Sequence, residues 1–226
     1  MTTTLELVDT RTAPEEVLVA MHEYYIGVGR EELPDDPPTP LARRLLNWRH
    51  WRDTEEAPRW ILWEDDEIIG VGVSWYDLEQ NPRNGFARAH VRADRRGEGH
   101  ARTIAVAMLE HLLEHGRTLV DTYVVEGTEH GGLCEALGMK NAYREKVSRL
   151  VIADVDHDLL NGWVDRAPER ASEYHLITLT TPFPDHVIEQ YSDLLYQMNT
   201  APMEDFEYDE EFMTPANWRN IEQLLE

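Results

Sequence analysis

Residues 84–116 read NGFARAHVRADRRGEGHARTIAVAMLEHLLEHG. The run opens with a short β-prone segment ending at Val91, passes through an arginine-rich turn with alternating glycines, and continues as an amphipathic helix that Gly116 closes. In Arg96-Gly97-Glu98-Gly99-His100-Ala101 the glycines and the terminal alanine keep side chains away from a ring of backbone N–H groups, and the helix N-terminus adds partial positive charge. That combination suits an anion the size of a pyrophosphate. It is not a P-loop, because no Gly-Lys-Ser/Thr follows the last glycine. A Rossmann turn would lie nearer the first strand, with a ribose-binding acid downstream.

Set five residues beyond the strand-ending Val91, the Arg-Gly-x-Gly-x-Ala hexapeptide resembles motif A of the GNAT superfamily of acyl-CoA N-acyltransferases. Leu133-Cys134-Glu135-Ala136-Leu137-Gly138-Met139 resembles that superfamily's motif B, commonly Phe-Tyr-Glu-x-Leu-Gly-Phe. The resemblance implies an α/β fold with a central, mixed and mostly antiparallel sheet flanked by helices. It also implies acetyl-CoA as cosubstrate, with Ala89, His90 and Val91 along the pantetheine arm and Arg96, Gly97, Glu98, Gly99, His100 and Ala101 at the pyrophosphate. Arg92 and Arg95 are placed to add charge near the phosphates.

Composition narrows the partners. The 226 residues carry 44 acids against 21 bases, a formal charge of −23, which disfavours nucleic acid or an anionic membrane as partner. An amine-bearing small molecule suits that charge better. Apolar residues make up 42% of the chain, enough for a packed core. The single cysteine cannot form an internal disulfide. No apolar run approaches the about 20 residues of a membrane span, and no signal-peptide core follows Met1, so the expected compartment is the cytoplasm.

Taken in order, Leu5–Val8 alternates as a first strand. Pro14-Glu15-Glu16 opens a helix ending near Gly27–Gly29, and Thr39-Pro40 opens a second. Trp60–Trp63, Ile68–Trp75 and Phe86–Val91 read as strands, followed by the helix after the cradle, a strand Leu119–Val125, a short helix Gly132–Leu137 and a strand Arg144–Ile152. This assigns residues 1–155 to one domain and 156–172 to a linker. Residues 173–226 form an incomplete second unit of the same kind: a strand Tyr174–Thr180, a helix after Pro184 that repeats the one after Pro14, an acidic loop, and a helix after Thr214-Pro215 that repeats the one after Thr39-Pro40. The order resembles a tandem GNAT protein. Ile177, Leu179, Val187 and Leu194 need cover, from the first unit or from a second copy in a homodimer.

Transfer of an acyl group from a thioester to an amine needs a held cosubstrate, a deprotonated amine and a proton for the leaving thiolate. Many relatives place a Glu or His base on the strand before the cradle, at positions that here are Ala87 and Gly85. Glu79 and Asp77 acting through water, or His90 from the opposite face of the strand, are the substitutes, and Asp35 and Asp36 add negative charge for an ammonium. The motif B tyrosine that serves as general acid is replaced by Cys134, a weaker donor, and the asparagine preceding it by Gly127. These departures keep an alternative open, an inactive acyl-CoA-binding regulatory or scaffold domain. No metal is expected: His111 and His115 lack the Glu that a zincin places after its first histidine.

Overall fold

The computed structural model describes residues 2–128, 131–202 and 205–225. It divides into two compact units, one of residues 1–140, 207–212 and 223–226, the other of residues 141–206 and 213–222. No helix among the described residues is long and apolar enough to cross a membrane.

The first unit is a mixed, mostly antiparallel sheet of six strands flanked by helices. Its elements are β1 (Thr3–Val8), α1 (Glu15–Glu32), α2 (Leu41–Arg49), β2 (Glu55–Glu56), β3 (Arg59–Glu64), β4 (Glu67–Asp77), β5 (Asn84–Val91), α3 (His100–Glu114), β6 (Leu119–Asp121) and α4 (Gly131–Ala136). The spatial order is β1-β3-β4-β5-β6, with the two-residue β2 beside the end of β4. All pairings are antiparallel except β5 with β6. Pro14 stands immediately before α1, where its missing N–H costs nothing.

Side-chain alternation along the central strands divides the core between two faces. Ile61 and Val71 join Leu18, Met21 and Trp48 on the α1–α2 side. Trp60, Leu62, Ile69 and Val91 join Ile104, Ala105 and Met108 on the α3 side. Burial on both faces explains why β3 and β4 read as nearly continuous apolar runs. α3 lies so close to the sheet that a Cβ on Gly72 would run into Ile104 and approach Met108 Sδ to 2.8 Å.

At the end of β3, Glu64 receives both guanidinium nitrogens of Arg95 at 2.5–2.6 Å. The two side chains are only 10% and 19% exposed. This pair ties the turn before α3 to the sheet. Glu64→Ala is expected to cost about 2 kcal/mol, because Arg95 would keep only the more exposed Glu98 while remaining largely out of water. Urea unfolding of the two proteins measures it.

The second unit holds α5 (His157–Arg170), α6 (Asp185–Tyr196) and most of α7 (Pro215–Leu225). Asp156 caps α5 by accepting the Leu159 N–H at 2.9 Å. Thr214 and Asn217 cap α7 reciprocally. Phe183, Tyr191 and Trp218 form one ring cluster, and Ile188 is buried.

Three expectations about strands differ from what forms. Leu119–Val125 pairs only as far as Asp121. Arg144–Ile152 and Tyr174–Thr180 are not strands, apart from a 3-10 turn from Ile152. Both have strand-like composition, but a strand exists only by pairing, and no described residue supplies the partner. Ile177 and Leu194 are accordingly exposed and Leu179 and Val187 only half-buried, where burial of all four was expected.

Candidate active site

β5 ends at Val91, a 3-10 turn spans Ala93–Arg95, and α3 begins at His100. Gly97 and Gly99 have φ of +81° and +88°, a region that side chains other than glycine's avoid. An added Cβ at either would meet nothing within 4 Å, so both backbones face open space. The first N–H groups of α3 have no intrahelical partner and point into that space with the positive end of the helix dipole. Ala101 packs with Ala89 into the α3-side core, which fixes the helix start against the end of β5.

The arginines of the turn are committed elsewhere. Arg96 donates Nε–H to the Val91 carbonyl at 3.0 Å and pairs with Glu31 of α1. Arg95 holds Glu64, and Arg92 holds Glu67 and Asp94. Arg92 and Arg95, expected to add charge near phosphates, each stand against carboxylates here. Glu98 and His100 interact with each other at 3.2 Å. What this turn offers an anion is backbone N–H and dipole.

β5 and β6 are paired from Asn84–Leu119 to Phe86–Asp121 and no further. Beyond that point the outer edge of β5 has no partner strand among the described residues, and a cavity of about 200 Å³ opens where the pairing stops. Ala87, Ala89, Met108, Thr122, Leu133 and Cys134 contribute to its wall. Small residues on β5 leave room for a narrow chain. Ala89 and Cys134, far apart in sequence, thus meet at one cavity. Burial pushes the Cys134 thiol pKa up.

The other sequence-derived candidates lie elsewhere. His90 is on the α1 side of β5, as alternation requires, 8% exposed, with Nδ1 2.9 Å from the Tyr24 hydroxyl and Nε2 3.4 Å from Glu31. It does not line the cavity. Glu79 is exposed in the turn after β4, its N–H donated to Asp77 Oδ1 at 2.7 Å, and it too is absent from the cavity wall. Gly85 has no room for a base, since a Cβ there would stand 2.8 Å from Leu112 Cδ2. Ala87 belongs to the packed α3 side.

Other residues come to the gap without having been singled out. Arg88 of β5 and Tyr123, two residues past β6, both line the cavity and touch each other. Phe86 stacks on Tyr123 with ring centroids 5.8 Å apart. Asp121 ends β6 where the strands part, and burial pushes its pKa up. Residues 207–212 lie along the β4–β5 turn: Asn84 donates to the Glu207 carbonyl at 2.8 Å, Asn81 accepts the Asp209 N–H at 2.7 Å, and Gln80 exchanges two bonds with the Phe212 backbone. Burial, then the carboxylates of Glu211, Asp121 and Asp77, push the Tyr208 phenol above its ordinary range. The period-2 alternation from Asp121 to Tyr123 was a usable sequence signal; nothing local announced residues 207–212.

On α3, the rings of His111 and His115 stack with each other, His111 against Trp60 and both against Tyr76. Among the described residues no group of three or more His, Cys, Asp or Glu is placed to hold a metal ion.

The sequence model of the acetyltransferase (GNAT) family matches residues 18–131, which include the glycine turn and stop short of Cys134. A search of curated proteins gives no sequence match. Among solved structures, a tandem GNAT protein from the clavulanic acid biosynthesis pathway aligns with a TM-score of 0.64 at 13% identity, over 99% of this chain and 66% of that one. An integron cassette protein from the mobile metagenome of V. cholerae aligns with a TM-score of 0.50 at 12% identity, over 73% of this chain and 98% of its own. Ribosomal-protein-alanine N-acetyltransferase from Brucella melitensis biovar Abortus 2308 gives 0.47 at 14% identity, over 66% of this chain and all of its own.

Proposed function

Because this chain belongs to the GNAT acetyltransferase family, we propose that it transfers the acetyl group of acetyl-CoA to the nitrogen of a small amine. The observation that carries this reading is the continuity of two features: an anion cradle at Gly97–Gly99 and a gap between β5 and β6 that begins one element away. The residues fit the cosubstrate. Gly97, Gly99 and the first turn of α3 would hold the pyrophosphate, and Ala87, Ala89 and Leu133 would flank the arm. Bound there, the cosubstrate supplies an activated thioester carbonyl.

The chain's own groups do the rest. Backbone N–H groups on the free edge of β5 polarise a carbonyl seated in the gap. Phe86 and Tyr123 offer rings, and Asp121, Asp77 and Tyr208 an acidic surrounding, to an incoming ammonium. Asp121 takes the proton that the amine must lose, a role that its raised pKa favours. A second reading, an acyl-CoA-binding domain without turnover, is favoured by the absence of a base at Gly85 and Ala87 and by Cys134 in the tyrosine position. Calorimetric titration with acetyl-CoA, run beside turnover on a panel of small amines, separates the two; failure to bind acetyl-CoA overturns both.

Asp121→Asn gives a result with a definite sign. A carboxyl whose folded pKa lies above its unfolded value costs stability once pH exceeds the unfolded value, in full above the folded one. The asparagine variant should therefore melt at a higher temperature than wild type at pH 7, the two converging near pH 3 where both states are protonated, at about one unit below the free carboxyl. Its acetylation rate should fall by roughly 10²-fold. A lower melting point at pH 7 would show that Asp121 is stabilised as an anion instead.

A further inference from the structure

The bond between Arg88 and Tyr123 crosses the gap from β5 to the segment after β6. Arg88 Nη1 donates to the Tyr123 hydroxyl oxygen at 2.8 Å, and its guanidinium carbon stands 4.3 Å from the ring centroid. The other guanidinium nitrogen is paired with Glu32 at the end of α1, whose side chain is 7% exposed. A guanidinium only donates, so the phenol oxygen accepts here and its own proton is directed to a different partner. Loss of that proton would leave a negative oxygen already facing a cation held in place by Glu32. That is the geometry asked of a proton donor: a hydrogen turned away from the neighbouring cation, and an oxygen that faces it. Cys134 lines the same cavity, but a thiol is a weaker donor than a phenol.

We propose that Tyr123 protonates the leaving thiolate, with Arg88 as the residue that positions it and stabilises its anion. The proposal rests on the N-acetyltransferase reading. In the step, the amine nitrogen bonds to the acyl carbon and the carbon–sulfur bond breaks with its electron pair on sulfur. Sulfur takes the phenolic proton, and the phenoxide is reprotonated by the proton that the amine gives up, through Asp121 or solvent. The protein gains and loses no proton over the cycle.

Tyr123→Phe tests this cleanly, because it keeps the stack on Phe86 and the ring under Arg88 while removing only the hydroxyl. The side chain is largely exposed, so the fold should be indifferent. With acetyl-CoA, kcat should drop about 10²-fold or more while the calorimetric affinity for CoA changes less than about threefold. With S-phenyl thioacetate, whose aryl thiolate leaves without protonation, variant and wild type should turn over alike. Addition of CoA to wild type should perturb the near-ultraviolet tyrosine spectrum, and Tyr123→Phe should remove that change. Arg88→Gln should also lower kcat, with Arg88→Lys recovering part of it. Equal kcat for Tyr123→Phe and wild type, or equal losses on the alkyl and aryl thioesters, would overturn the proposal. So would a wild-type protein that binds CoA and acetylates no amine, which leaves the binding reading standing; absence of CoA binding brings down both.

Discussion

Gly99→Glu is expected to weaken acetyl-CoA binding by at least about 100-fold, a loss near 3 kcal/mol. Gly99 is the residue that caps α3, with φ of +88°, and its missing side chain is what lets an anion reach the helix N-terminus. Glutamate places a carboxylate in that position, where the dipole favours it and a phosphate must compete with it. The fold should survive, because a Cβ at this position meets nothing within 4 Å, leaving only the left-handed backbone penalty of about 1–2 kcal/mol. Gly99→Ala separates the contributions: it carries the same backbone penalty without charge and should bind far better than the glutamate variant. Calorimetry with a thermal melt on each protein decides it, and unchanged affinity in a folded Gly99→Glu protein would remove the cradle assignment.

Ile104→Ala should cost about 2–5 kcal/mol of stability, the usual range for emptying a fully buried aliphatic site. Ile104 is 0% exposed on the first turns of α3, and it faces Gly72 of β4 so closely that neither side has slack. The cavity left behind cannot collapse easily, because the sheet below it is rigid and β4 is paired on both edges. A urea denaturation midpoint shifted with unchanged slope would report the loss as stability alone. Since α3 carries the proposed cradle at its N-terminus, acetyl-CoA should raise the melting temperature of both the variant and the wild type. Ligand affinity would then separate this variant from Gly99→Glu, which should be stable and fail to bind.

Much of this protein is dictated locally. Apolar residues spaced along α1 and α3, unbroken apolar runs in β3 and β4, Pro14 and Pro184 before helices, and the glycines at 97 and 99 each act within a few residues, through backbone sterics and side-chain periodicity. The two-faced core and the helix that starts at an open glycine turn follow from them, and so does His90 lying on the face opposite Ala89. Pairing and electrostatics were different. Where β6 leaves β5 depends on which strand edges find partners, so Leu119–Val125 could be read as strand from composition and still part after Asp121. Carboxylate partners of Arg92, Arg95 and Arg96 sit on β3, at the start of β4 and on α1, so only the folded chain shows which carboxylates these arginines meet. Tyr123 meets Arg88, and residues 207–212 reach Asn81, across separations that no periodicity encodes. Sequence alone thus determined where the backbone before α3 lies open; tertiary structure decided which side chains stand around the gap, because long-range contacts are selected by the packing of the whole unit rather than by the conformational preferences of neighbouring residues.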